Sequence, residues 1–358
     1  MNRNLSNKYF NILIIFIVAL AVGLVAGCGQ STSSNSSTMP HGTFTYFGTQ
    51  SPGDIWSWTI GEGTMIATNE TKGKYYSGTF SAQPSGFLKG VITASNDLSL
   101  PLNSTAKVYL MEFPNTMLIV KPADSDRLIV CAAQATIEPT AGQYNWIKVP
   151  NSGWNANANT GYGTADVSVS GGQCNIYLSR YMIDGSLISA TLEAGYIFAN
   201  GRLIKSGSDL SVFMTPSGLF IGDNGLGSGG FAGLKYEAVN ISDAMAKEYR
   251  GAQFTFDSST GLGSTVALGS GPNPAAPRTM RVWNYSDVDN NVIDTSTYAT
   301  LSPVTQESSG IVSGTLLYSN GASRNIKMAI AKISGKYVVI GIEAITATTP
   351  VNFIAIEQ

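Results

Sequence analysis

The chain has little of what most catalytic sites are built from. Among 358 residues there is one histidine, His41, three cysteines, and only 12% charged side chains, against about 25% in a typical domain. A single imidazole excludes zinc and haem sites made from several histidines. A Ser-His-Asp or Cys-His mechanism needs its imidazole packed within hydrogen-bond reach of the nucleophile. His41 is poorly placed for that, at the end of a Ser/Thr-rich stretch. No phosphate-binding P-loop, dinucleotide fingerprint or GxSxG elbow is present, and no CxxC or CxxCH spacing. With 21 basic and 23 acidic residues, nothing suggests a nucleic-acid partner.

The N-terminus is the most informative segment. Arg3 and Lys8 precede an uncharged apolar run, Ile12 to Leu24, and then the small residues Ala26 and Gly27 before Cys28. This is the layout of an export signal. The apolar stretch to Gly27 falls short of the roughly 20 residues that span a bilayer, which argues against an uncleaved anchor. Leu24-Val25-Ala26-Gly27-Cys28 resembles the lipobox of bacterial lipoproteins. The resemblance covers only residues 1 to about 38, and what it implies is specific: residues 1–27 are a cleaved signal peptide, and Cys28 is diacylated on sulfur and acylated on its new amine. Two or three chains anchor firmly, at about 0.8 kcal/mol per buried CH₂. Position two of the mature chain is Gly29 rather than Asp, which by the same resemblance favours the outer over the inner membrane in a two-membrane organism. Cleavage removes Arg3 and Lys8, leaving 19 basic against 23 acidic residues and a formal charge of −4.

Ser31 to Thr38 reads STSSNSST. With no apolar or charged residue it cannot join a core, so residues 28–41 are expected to form a flexible tether. From Gly42 onward, short alternating runs rich in Val, Ile, Thr, Tyr and Phe are punctuated by Gly, Pro and Asn, which is the pattern of strands and hairpins. Three segments repeat one order of strand, tight turn, strand, loop and strand. They start at Lys107, Leu210 and Ile326, with turns at Pro114-Asn115, Pro216-Ser217 and Ser334-Gly335. Gly42-Thr43-Phe44-Thr45-Tyr46 is echoed near Gly251 to Phe256, and Ser77-Gly78-Thr79 by Ser313-Gly314-Thr315. A period near 100 residues is too long for a blade or solenoid and fits a whole β-module.

The expected fold is therefore all-β: tandem antiparallel β-modules, barrel- or sandwich-like meanders, after the signal peptide and tether. The expected modules are 42–137, 138–241 (which could form one unit with the first) and 251–358. A short helix over 242–250 joins the last, with Ser242 as its N-cap. Cys131 and Cys174 are an even pair in an oxidising compartment and are expected to form a disulfide between the first two modules. Two buried free thiols are the alternative.

Candidate sites are few. Asp287, Asp289, Asn290, Asn291 and Asp294 could offer oxygen ligands to Ca²⁺. Val292 and Tyr298 stand where an EF-hand loop has Gly and Glu, so an Asp/Asn-rich turn competes with that reading. No other cofactor is expected. Gly222 to Gly233 is glycine-rich but is flanked by strands rather than leading into a helix, which suits a hairpin loop better than a phosphate cradle. Trp56 and Trp58 would share one strand face, and Trp146 and Trp154 form a second group with Tyr144 and Tyr162. These rings could stack on a glycan or plug a barrel, and burial is the commoner fate. Glu62, Glu70, Glu112 and Glu193 are candidate acids that no motif pairs.

The expectation is thus a membrane-anchored extracytoplasmic lipoprotein with a binding or structural role at the cell envelope. The partners expected are the membrane, through its lipids, and an envelope protein or glycan. The absence of a catalytic motif leans away from an enzyme. A carboxylate-dependent, carbohydrate-active or other hydrolase and a lipocalin-like carrier of an apolar ligand are the alternatives.

Overall fold

The computed structural model describes residues 42–50, 53–82, 88–100, 107–122, 129–149, 161–182, 184–199, 201–208, 210–223, 230–247, 249–254, 264–268, 279–287, 292–294, 299–301, 304–318, 320–344 and 351–357. Cys28 and His41 lie outside them. Strands dominate, as the alternating pattern predicts.

The first barrel is built from β1 (Phe44–Gln50), β2 (Asp54–Ile60), β3 (Thr64–Asn69), β4 (Lys74–Ala82), β5 (Leu88–Ser95), β6 (Lys107–Phe113), β7 (Met117–Pro122) and β8 (Ile129–Ala133). Each strand pairs antiparallel with the next, and β8 returns to β1, setting Tyr46 opposite Ala133 and Gln50 opposite Ile129. The second barrel follows in the same way. It comprises β9 (Gly142–Val149), β10 (Gly161–Ser170), β11 (Gln173–Met182), β12 (Leu187–Ala199), β13 (Arg202–Ile204), β14 (Ser211–Met214), β15 (Leu219–Asp223) and β16 (Gly230–Lys235), closed by β16 on β9. Closure pairs every strand on both sides and so leaves no free edge.

A short helix, α1 (Ile241–Met245), comes next. Its N-cap is Asn240, whose side chain accepts from the Asp243 N–H at 3.1 Å. Ser242 is therefore not the cap, and the helix is shorter than expected. The third sheet contains β17 (Tyr249–Phe254), β18 (Ser264–Leu268), β19 (Thr279–Asp287), β20 (Val292–Asp294), β21 (Ala299–Leu301), β22 (Thr305–Gln306), β23 (Val312–Tyr318), β24 (Ser323–Ile333), β25 (Lys336–Ala344) and β26 (Val351–Glu357). Besides the main order, β18 pairs with β19. The ladder β17–β18–β19–β21–β23–β24–β25–β26 thus returns to β17.

Period-2 alternation fills each interior. In β2, Trp56, Trp58 and Ile60 point inward and are buried, while Ser57 and Thr59 between them are partly open. These inward residues join Tyr46, Met65, Leu110, Leu118 and Ile129 in the core of the first barrel. Tyr144, Trp146, Tyr196, Val212 and Phe220 belong to the core of the second. Leu316, Met328, Val339 and Phe353 belong to that of the third sheet.

Within the last three strands of each module, stretches break the alternation because both faces are buried there. Met117 to Val120, all of β8 and all of β15 are buried without interruption. One set of side chains fills the strand's own module. The other set, including Ile119, Val130, Phe213, Ile221, Ile340 and Ile354, meets in a single core shared by all three modules. These strands are the three meanders repeated in the sequence. Polar contacts reinforce the junction: Gln143 Nε2 and Asn145 Nδ2 both donate to the Ser309 carbonyl, at 2.7 and 3.0 Å. The rings of Phe47 and Phe213 stack across the first and second barrels at 6.2 Å. The β24–β25 hairpin turns on Ser334 and Gly335 with φ of 51° and 85°, the two positive values that a two-residue I′ turn needs.

The expected disulfide is absent: Cys131 and Cys174 are free and buried. Cys131 lies in the core of the first barrel and Cys174 in that of the second. Each thiol points inward, so the barrel walls separate them, and apolar packing rather than a bridge joins the two modules. Burial raises both thiols above the ordinary cysteine range, Cys174 to about 11 and Cys131 further. Native protein should resist alkylation at both positions, and denaturation without reductant should release both thiols. A linked Cys131–Cys174 peptide in a non-reducing map would contradict this arrangement. Ile340→Ala in the shared core should cost about 2–4 kcal/mol in denaturant unfolding. Leu317→Ala, at an exposed position, should cost under about 0.5 kcal/mol.

Candidate functional site

The aromatic candidates fall inside the barrels. Trp56 and Trp58 are buried and stack 5.9 Å apart, and Tyr76 lies 5.6 Å beyond Trp56. Trp146 is buried in the second barrel and donates its indole N–H to the Thr164 carbonyl at 3.2 Å. Its ring lies over Gly163, where a Cβ would come within 2.4 Å of it. None of these three rings offers a face to a glycan, because each closes its own barrel. Trp154 lies outside the described residues.

The four acidic candidates have separate partners. Glu62 is exposed at the β2–β3 turn. Glu70 meets Arg202 of the second barrel at 3.8 Å. Glu193 lies 3.5 Å from Lys205 and 3.4 Å from the Tyr196 hydroxyl. Glu112 is the chemically distinctive one. Its inward-facing carboxylate accepts from the Tyr46 hydroxyl at 2.6 Å, and that hydroxyl accepts from the Asn115 N–H at 3.3 Å. The second carboxyl oxygen of Glu112 is buried with no hydrogen-bond partner. Burial pushes its pKa up to about 7, while the Tyr46 hydrogen bond acts in the opposite direction. A raised carboxyl is what a general acid requires, and this one is bonded to Tyr46 in the barrel core.

Asp287 ends β19, its side chain lies outside the described residues, and so do Asp289 and Asn291. Among the described residues, no group of three or more His, Cys, Asp or Glu side chains is placed to hold a metal. The glycine-rich stretch runs from the end of β15 into β16. A carrier would need a cavity of several hundred Å³. The second barrel encloses about 10 Å³ between side chains including Val167, Met214 and Phe231, which is room for about one water.

The surface holds a feature that the sequence reading missed. On the outside of the second barrel, Tyr177 on β11 stands opposite Leu192 on β12, and Ile197 on β12 opposite Ile204 on β13. With Leu187 they form a row of large apolar side chains that are 37–61% exposed. In sequence, β12 reads LISATLEAGYIFA. Tyr196 and Phe198 serve the interior, and Ile197 between them faces out. Apolar residues on both faces were the available signal, but they read equally well as a strand buried on both sides.

No protein-family model and no curated protein matches the chain.

Glu112 makes stability depend on pH. Its folded pKa lies above the value near 4.3 of an unfolded chain, so the folded state keeps the proton to higher pH. That contribution is complete below about pH 4.3 and is lost as pH rises toward about 7. Glu112→Gln keeps an acceptor for Tyr46 and removes the titration. It should flatten the dependence of Tm between about pH 4.3 and 7 and make the variant more stable than the parent at pH 8. With partial solvent screening, the gain should be about 1–2 kcal/mol. Unchanged pH profiles in the two proteins would exclude this role.

Proposed function

We propose that this chain is a lipid-anchored extracytoplasmic protein with a binding or structural role at the cell envelope, in the outer membrane where two membranes exist. The observation that carries the reading is the segment Leu24 to Cys28 after an uncharged apolar run, followed by an uncharged Ser/Thr tether. The fold supports the binding or structural half of it. Both closed barrels are filled by their own side chains, so interaction falls to outer faces and loops rather than to an enclosed ligand site. The apolar interiors also invert the pattern of membrane-spanning barrels, which turn polar residues inward. Among the described residues no helix is long and apolar enough to cross a membrane.

On this reading the body is held at the lipid surface by acyl chains at Cys28 and presents the three-module unit to an envelope protein or glycan. Cys28→Ala should move the protein out of the membrane fraction and abolish incorporation of labelled fatty acid. Attachment of an unprocessed, unlabelled precursor would mean that the apolar run is itself the anchor.

A further inference from the structure

The row Tyr177, Leu187, Leu192, Ile197 and Ile204 is an unpartnered sheet face. Four observations bear on what covers it. Its members occupy three adjacent strands of a closed barrel, so pairing to another chain's strand is not available to this face. The outward positions of β11 and β12 carry no charge, and the face is bordered by exposed Asp166 on β10, opposite Tyr177. Arg202, on β13 next to the row, meets Glu70 at 3.8 Å.

The fourth observation is where the chain enters the body. Gly201, at the β12–β13 turn, packs so closely on Ala135 that a Cβ would lie 3.1 Å from the Ala135 carbonyl oxygen and 3.6 Å from Gln134 Cγ. The Gln134 N–H donates to the Thr45 carbonyl at 2.8 Å. Thr45 is three residues beyond Gly42, where the described chain begins. Through Gln134, the start of β1 is therefore connected to the β12–β13 turn, which closes the Ile197–Ile204 end of the row. A Ser/Thr-rich stretch the length of 28–41 spans about 20 Å r.m.s. as a random coil, about the length of a barrel strand.

From this juxtaposition we infer that the outer face of β11–β13 rests on the bilayer surface that receives the acyl chains of Cys28, as a second, protein-borne membrane contact. The inference rests on the anchoring proposed above. A row of Leu, Ile and Tyr with Arg202 and Asp166 at its borders suits the headgroup boundary, where apolar side chains enter while charged groups and a tyrosine hydroxyl stay hydrated. The contact would fix which way the body faces, which a flexible tether alone does not do. Loops away from this face would then point toward partners.

Full-length protein in vesicles of phosphatidylethanolamine and phosphatidylglycerol tests the inference. A fluorophore is placed on Leu192→Cys or, for comparison, on Leu317→Cys, another exposed leucine, on the third sheet. Lipids with a nitroxide near the headgroup should quench the label at 192 at least twofold more than the label at 317. Equal quenching of the two overturns the inference. So does protection of the 192 label from aqueous iodide that grows with protein concentration in the absence of vesicles, since a second copy of the chain would then cover the face. Repeating the comparison in a Cys28→Ala background keeps the two ideas apart. If the parent carries no acyl chain but the contrast persists, the anchoring reading fails and the face stands. If the acyl chain is present and the contrast is absent, the face alone fails.

Discussion

The structure depends on one apolar core that belongs to no single module. Ile119 and Val130 from the first barrel, Phe213 and Ile221 from the second, and Ile340 and Ile354 from the third sheet all bury there. Each comes from the last three strands of its module. Those strands already supply side chains to their own interior, so they must be apolar on both faces. At about 1.5–3 kcal/mol for each large side chain withdrawn from water, this core accounts for the union of three modules that have no covalent cross-link between the described cysteines. It also accounts for the repeat, because only the meander meets the same double demand in all three modules.

The shared core leaves function to the surface. Among the described residues, Trp56, Trp58 and Trp146 fill the barrels together with tyrosines and methionines. Glu112 shows how far this goes. A half-buried carboxyl bonded to core Tyr46 has the raised pKa of an acid catalyst. Its consequence is a link between protonation and stability. What remains available is the outside of the barrels, where the β11–β13 face carries a row of exposed Tyr, Leu and Ile side chains.

That asymmetry would have a mechanical meaning on the anchoring and membrane contact proposed above. The tether alone would leave the orientation of the body open, and the apolar face would select among orientations. The shared core would make that selection effective, because three modules packed on one core turn together.

Much of the architecture was legible from local pattern alone. Alternation located the strands, tight-turn residues such as Asn115, Ser334 and Gly335 marked the hairpins, and the three meanders stood out because double burial writes continuous apolar runs. Charge and hydropathy in the first 28 residues carry the anchoring proposal without help from the fold. Tertiary structure decided the rest, since it depends on which side of a closed wall a residue faces. An even count in an exported chain made Cys131 and Cys174 look like a pair, and barrel closure set them in separate cores. It made Trp56 and Trp58 neighbours on one face, and only closure turned that face inward. Leu192 and Ile197 look like core in the sequence, since apolarity does not say whether a neighbour covers it. Composition determined that this chain would be β-rich and low in charge; which apolar faces meet, and which one is left open, was settled only by how three sheets close and pack.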